Sequence, residues 1–334
     1  MSKFKPLFLS ALLCILTVSC EQKELCFDHE PHALRTEFKI DLKFDCEWEY
    51  NLENHINWEQ YWSEEYGINY NDIRPREPEG VRVHIYDEDD KTEKVYNLTK
   101  NNSTIRFNKE GHYYLLFYNN DTEYILFSDL ETFSGAYATT RGAKTRNTVM
   151  NAPDMLFGAY IDSLYIEKKP ETETMTVILH PLVFTYLLRF EVSQGVELIK
   201  HAHGYLTGVA AGVSLGTGHT SAQEGRQYFT CDMMGSYGTQ VLVRSFGIPD
   251  YPNPHYSRND EEEGSHKNEV YLEVTLTNGN KKTFKFDVTD QMQKQPRGGV
   301  ILLKDIKLEE APTGGGGFQA NVAGWGEDVH VSLN

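Results

Sequence analysis

The chain has 334 residues, with 32 Lys and Arg against 49 Asp and Glu, a formal charge of −17. An acidic balance of this size excludes a phosphate-backbone reader, so no nucleic-acid partner is expected. Forty per cent apolar residues, with 20 Tyr and 17 Phe, are enough to fill real cores, which excludes wholesale disorder.

At the N-terminus Lys3 and Lys5 precede an apolar run from Leu7 to Val18, and Ser19-Cys20 follows. A basic start, about a dozen apolar residues and a small residue before the cut make a secretory signal rather than a membrane span. The placement of Cys20 resembles a bacterial lipoprotein signal, cut between Ser19 and Cys20 with Cys20 acylated. Thr17 stands three residues before that Cys, where such signals usually carry Leu. Loss of the two signal lysines takes the mature chain from −17 to −19. Residues 20–35 read as a tether.

The segment "FKIDLKFDCEW" alternates strictly: Phe38, Ile40, Leu42, Phe44, Cys46 and Trp48 share one face, Lys39 to Glu47 the other. Period two over this length predicts a long strand with one dry face. Of the five Cys, Cys14 leaves with the signal and Cys20 takes lipid. Cys26, Cys46 and Cys231 then permit at most one internal bridge. "NWEQYWSEEYG" predicts a helix, with Trp58, Trp62 and Tyr66 on one side, Asn57 as N-cap and Gly67 just past its end. Those aromatics form either an apolar face that caps the sandwich or a platform for stacking sugars. "VRVHIY" repeats the strand signature at Val81, Val83 and Ile85, and "HYYLLFYN" is apolar on both faces, which marks a central strand.

"EKKPETET" (167–174) is a polar break, after which alternation resumes at Phe184, Tyr186, Leu188, Phe190 and Val192. Val270 to Leu276 and Phe284 to Val288 alternate on either side of Asn278-Gly279, which predicts a hairpin closed by a two-residue type I′ turn. No βαβ rhythm appears. The expected fold is all-β: two antiparallel β-sandwich domains over 36–168 and 172–334, with a short helix in the first.

Motifs that could carry chemistry are weak. "GVSLG" matches the G-x-S-x-G pattern at Ser214, but glycines and a polar loop follow where a hydrolase needs a helix. His201 and His203 share a strand face without a third ligand at metal spacing. "YDEDDK" (86–91) lacks the Gly and terminal Glu of an EF-hand loop and reads as a solvated turn. "NDEEEGSH" (259–266) reads as a charged loop. No catalytic residue, metal or cofactor is expected. "ATTRGAKTR" is basic within an acidic chain, and Arg141, Lys144 and Arg146 mark a protease-accessible loop or a patch for a partner. From Gly314 a run of four glycines leads into Phe318, Ala320 and Val322. Gly324-Trp325-Gly326 interrupts before Val329, Val331 and Leu333 alternate again. The glycines form a hinge, and the strand behind it pairs either with its own domain or with another chain.

"ELCFDHEPH", "YNNDTEYILF", "YATTRGAKTR", "PLVFTYLLRFEV", "LTGVAAGVSLGTGHT", "SFGIPDYPNPHYSR", "QPRGGVILL" and the closing "GGGGF" resemble Bacteroidetes outer-membrane lipoproteins of an uncharacterised type. These are similar to the minor fimbrial anchor and fimbrillin-like proteins of that phylum. The resemblance implies two transthyretin-like sandwiches, no enzymatic activity, an exported chain held at the outer membrane by an N-terminal lipid (palmitate among its acyl groups), and surface exposure. It implies fimbrial or other surface subunits as partners, joined by strand exchange, in cell adhesion. In such assembly a C-terminal strand, here Phe318, Val322, Trp325, Val329, Val331 and Leu333, fills a groove in a neighbour. The remaining reading is a surface carbohydrate-binding lipoprotein serving nutrient uptake.

Replacing Cys20 with Ser tests the anchor: the native chain partitions into detergent on phase separation and the Cys20→Ser chain stays aqueous. Equal partitioning would mark an ordinary secretory signal.

Overall fold

The computed structural model describes residues 36–46, 62, 64–99, 101–142, 149–169, 171–233, 235–252, 266–309 and 320–322. The signal, Cys20, Trp58, Lys144, Arg146, Phe318, Trp325, Val329, Val331 and Leu333 lie outside them. The first half holds β1 (Thr36–Phe44), β2 (Val81–Tyr86), β3 (Thr92–Leu98), β4 (Thr104–Phe107) and β5 (Gly111–Asn119). It continues with β6 (Ile125–Ser128), β7 (Tyr137–Thr140), β8 (Val149–Met150), β9 (Phe157–Ile166) and β10 (Glu173–Pro181). The second half holds β11 (Phe184–Gln194), β12 (Ile199–Ala210), β13 (Gly212–Ser214), β14 (Glu224–Thr230) and β15 (Asp232–Met233). There follow β16 (Gly238–Ser245), β17 (Glu269–Leu276), β18 (Lys281–Asp287), β19 (Gly299–Lys307) and β20 (Ala320–Val322). The fold is all-β, as the alternation predicts; the described α-helices are α1 (Tyr70–Ile73) and α2 (Thr289–Gln293).

Seven strands run in the order β3-β2-β5-β9-β10-β1-β4 and fold over on themselves, with β10 pairing β9 at His180–Pro181 and β1 along most of its length. Between the layers Phe38, Ile40, Ile105, Phe107, Val177 and Leu179 meet Val83, Ile85, Leu115, Phe117 and Phe157. Half-buried Cys46 packs at the edge of this core. β10 belongs here, so, after the brief excursion of β8 into the second set of sheets, the chain crosses to that set at Leu182-Val183 rather than near residue 170. The sequence break at 167–174 separates two strands of one sheet system and marks no boundary between systems.

The second core lies between β15-β16-β11-β19 and β20-β18-β17-β12-β14-β8. Tyr186, Leu188 and Phe190 of β11 and Ile301 of β19 face Leu206, Phe229, Leu272, Val274 and Phe286. Cys231 is buried here, and burial pushes its thiol up to about 12, an inert state. The β17–β18 hairpin forms where expected but closes differently. Gly279 (φ 86) alone takes the left-handed conformation, Asn278 does not, and Gly279 N–H donates to the Leu276 carbonyl at 2.9 Å. This is a turn followed by a left-handed glycine bulge, and the Asn280 N–H bond to Asn278 Oδ1 (2.9 Å) ties it down.

A third core joins the two. β6, β7 and β13 form a small sheet, with Val213 opposite Ala138 and Gly212 opposite Thr139. A Cβ at Gly212 would stand 2.5 Å from the Ala138 carbonyl oxygen, so the close approach needs glycine. Behind this sheet Ala138, Val213, Leu215, Leu182, Val183 and Phe246 pack on Leu116, Tyr118 and Tyr86, the second face of β2 and β5. His84 stacks between Tyr86 and Tyr118, with Nε2 3.0 Å from the Tyr118 hydroxyl, and burial pushes its pKa down to about 4.

Of the helix expected over 57–67, residues 57–61 and 63 lie outside the described residues; the described part holds a 3-10 turn, Glu64–Tyr66, and α1 follows it. The aromatics of this stretch pack away from the first sandwich. Trp62, Tyr66, Tyr70 and Ile73 cover Leu187, Val300 and Leu302 on the outer face of β11 and β19. Trp62 Nε1 donates to the Ile68 carbonyl at 2.7 Å, and Gln240 donates to the Tyr66 carbonyl at 2.8 Å. Buried Arg189 lies 3.8 Å from the Tyr237 ring centre and 5.3 Å from that of Tyr66, with Glu191 at 3.1 Å.

Phe246 is fully buried in the joining core, so Phe246→Ala lowers unfolding stability by about 3–5 kcal/mol. Urea denaturation measures it, and a loss below about 1 kcal/mol would show that the junction is loosely packed.

Candidate strand-acceptor edge and tyrosine face

β20 lies beside β18 in parallel, Ala320 opposite Thr283, Asn321 opposite Phe284 and Val322 opposite Lys285. It is the outermost strand of the six-stranded sheet, so without it β18 presents an unpaired edge. Of the expected strand-exchange residues, Val322 therefore lies in a strand paired within its own chain, one of the two arrangements the sequence allows. Lys281, Lys282 and Lys285 on β18 are the type of residue that discourages unspecific pairing at such an edge. Phe284 and Phe286 point inward to the second core and fix the register of β18.

The other sequence candidates scatter. Arg141 is exposed just beyond β7, its N–H donating to the Tyr124 carbonyl. Ser214 ends β13, and its carbonyl accepts from Gly218 N–H in a turn that leads back to a bridge at Thr220. The helix a nucleophile elbow requires is replaced by that turn. Asp87 caps the β2–β3 turn, accepting from the N–H groups of Asp89 (3.1 Å) and Lys91 (3.0 Å), the solvated turn expected. His201 and His203 stack on one strand face at 6.3 Å. Among the described residues no group of three His, Cys, Asp or Glu is placed to hold a metal ion.

The sequence reading missed the outer face of the same six-stranded sheet. Register aligns Tyr228 (β14), Tyr205 (β12), Tyr271 (β17) and Lys285 (β18) in one row. On one side runs a row of Thr230, His203, Glu273 and Thr283, on the other Arg226, Thr207, Glu269 and Asp287. Glu269 takes Lys267 (2.9 Å), Lys285 (3.0 Å) and the Tyr271 hydroxyl (2.8 Å). Burial alone would raise its pKa, but these donors hold it below the usual carboxylate range. The hydrogen bond from Lys281 at 2.6 Å does the same for Glu273. A period-two pattern in each strand gives only which residues face outward, and the row exists only once four registers are fixed.

Residues 66–230 match the model of a family described as a domain of unknown function (DUF5119). Across 293 residues the chain is 24% identical to a Bacteroides ovatus protein named as a candidate fimbrium anchoring subunit, Fim4B, covering 80% of this chain and 88% of that one. The crystal structure of a candidate adhesin from Bacteroides ovatus shares the fold, with a TM-score of 0.60 at 19% identity over 86% of this chain and 97% of that one. The fimbrial anchor protein Mfa2 of Porphyromonas gingivalis overlaps 80% of this chain and 90% of its own, with 10% identity and a TM-score of 0.49.

Because the folded pKa values of Glu269 and Glu273 are depressed, their stabilising contribution is complete above the ordinary glutamate range and disappears as pH falls through the lowered values. The thermal midpoint therefore drops below about pH 4.5, and Glu269→Gln flattens that drop. An unchanged pH profile in Glu269→Gln would remove Glu269 from the acid response.

Proposed function

We propose that the chain is an exported, lipid-anchored surface subunit that anchors or helps assemble a fimbria, holding its neighbour by β-strand addition. The observation that carries this reading is the seat of β20 on the β18 edge: a short parallel strand at the rim of a sheet, reached from residues that include four successive glycines. Main-chain pairing at such an edge gives affinity, and alternate side chains give selectivity. Similarity to a relative named for fimbrium anchoring supports the same role. Cys20 is the lipid attachment point in this scheme, in the outer membrane. Two sandwich domains, meeting at the third core, form a stiff body between the lipid and the acceptor edge. Exposed Arg141 leads into the segment that carries Lys144 and Arg146, the candidate target of an arginine-directed protease in this reading. The chain is a structural protein in this reading and performs no catalysis.

A carbohydrate platform built on Trp62 fits less well, because that ring is half-buried against Tyr66 and its indole N–H is already committed to Ile68.

Deleting residues 314–334 leaves a folded, membrane-attached protein that no longer retains its neighbour in crosslinking on intact cells. If the truncated chain unfolds, the segment is part of its own core and the donor role is lost. If it folds and keeps every crosslink, strand addition runs through another edge.

A further inference from the structure

Above the tyrosine row lies an open hollow of about 610 Å³, lined among others by His203, Tyr205, Arg226, Tyr271, Glu273 and Thr283. That is within the range of small-molecule sites. The β12 register shifts between Thr207 and Val209, a bulge that bends the strand beneath the hollow. Tyr205, which lines the hollow, meets Tyr228 edge to face at 5.4 Å with their planes at 65°, so Tyr228 stands beside the hollow and extends its aromatic surface onto β14. His203 closes the corner, 5.8 Å from Tyr228. Tyr228 is 47% exposed, a large aromatic surface left to solvent.

The carboxylates around the hollow are each paired. Glu273 is bound by Lys281 at 2.6 Å and approached by His203 at 3.6 Å. Glu269 is held by Lys267 and Lys285, and Lys267 also reaches Asp287 at 3.5 Å. The Arg226 guanidinium lies 6.0 Å from the centre of the Tyr205 ring. A charged ligand would have to break these pairs, and charge pairs at a partly exposed face return little for a new partner. What the surface offers is aromatic faces beside hydrogen-bonding groups of balanced charge. A pyranose ring matches this: its axial C–H groups give it an apolar face for a tyrosine ring, and its hydroxyls donate to Glu273 and exchange hydrogen bonds with His203.

We infer that this face binds a neutral oligosaccharide, with one sugar seated in the hollow against Tyr205, His203 and Glu273 and the next stacking on Tyr228 beside it. The site is separate from the strand-acceptor role and does not depend on it.

The full mature chain is applied to a printed array of neutral oligosaccharides and their sialylated and sulfated counterparts, and the strongest neutral hit is then titrated calorimetrically. A neutral glycan is bound, Tyr228→Ala weakens it by about tenfold or more, and Tyr228→Phe stays within about twofold, because the ring rather than the hydroxyl makes the contact. Thr283→Arg, at an exposed rim position, blocks the hollow without removing a core contact and also abolishes binding. Absence of any neutral hit overturns the inference, as does binding of charged glycans only. So does a neutral hit whose affinity Thr283→Arg leaves intact.

Discussion

Everything in this molecule hangs on the small sheet that β13 makes with β7 and β6. A three-stranded sheet of such short strands has no stability of its own in water; it exists because its inner face is sealed by Leu116, Tyr118, Phe246 and their neighbours. That seal requires β5 to be apolar on both faces, Leu115 and Phe117 facing the first core and Leu116 and Tyr118 the third. Domains joined by a polar linker ordinarily swing relative to each other. Here the joint contains ladder hydrogen bonds and a dry core, and independent motion would expose both.

The sequence made some of this visible and hid the rest for identifiable reasons. Alternation located β1, β2, β11, β17 and β18, because each has one face against a core and a side-chain period of two. The double-sided apolarity of "HYYLLFYN" marked a central strand, although not that its second face serves the junction. The aromatic spacing of Trp58, Trp62 and Tyr66 suggested a helix face, but not that Trp62 and Tyr66 would pack on Leu187, Val300 and Leu302, a tertiary contact no local spacing encodes. Asn278-Gly279 announced a hairpin without fixing its closure, since one left-handed residue suffices when a bulge follows. Parallel pairing of β1 with β10 and of β11 with β19 joins segments far apart in the chain, which no local pattern encodes. The tyrosine face was invisible for the same reason: Tyr205, Tyr228 and Tyr271 become neighbours only through strand register.

The β18 edge and the hollow share one strand. β18 turns Phe284 and Phe286 into the core, and it turns Thr283 and Lys285 toward the row of tyrosines. A strand laid along β18 therefore runs beside the rim of the hollow. The six-stranded sheet thus has a dry inner face that fixes register, an outer face rich in tyrosine, and an edge dressed with lysines. Each property follows from which of two alternating sets of side chains points where.

The direction of β1 has a mechanical consequence. It runs parallel to β10, with Phe38 opposite Glu173 and Phe44 opposite Leu179, and β10 continues into the second half of the molecule through Leu182-Val183. A pull on the chain ahead of Thr36, resisted from the second half, tugs the two strands from opposite ends along a common axis. Their hydrogen bonds are then loaded in shear, all at once, instead of peeling open one after another. A parallel neighbour thereby makes the entry strand a clamp, and the first sandwich is built to carry tension along its length.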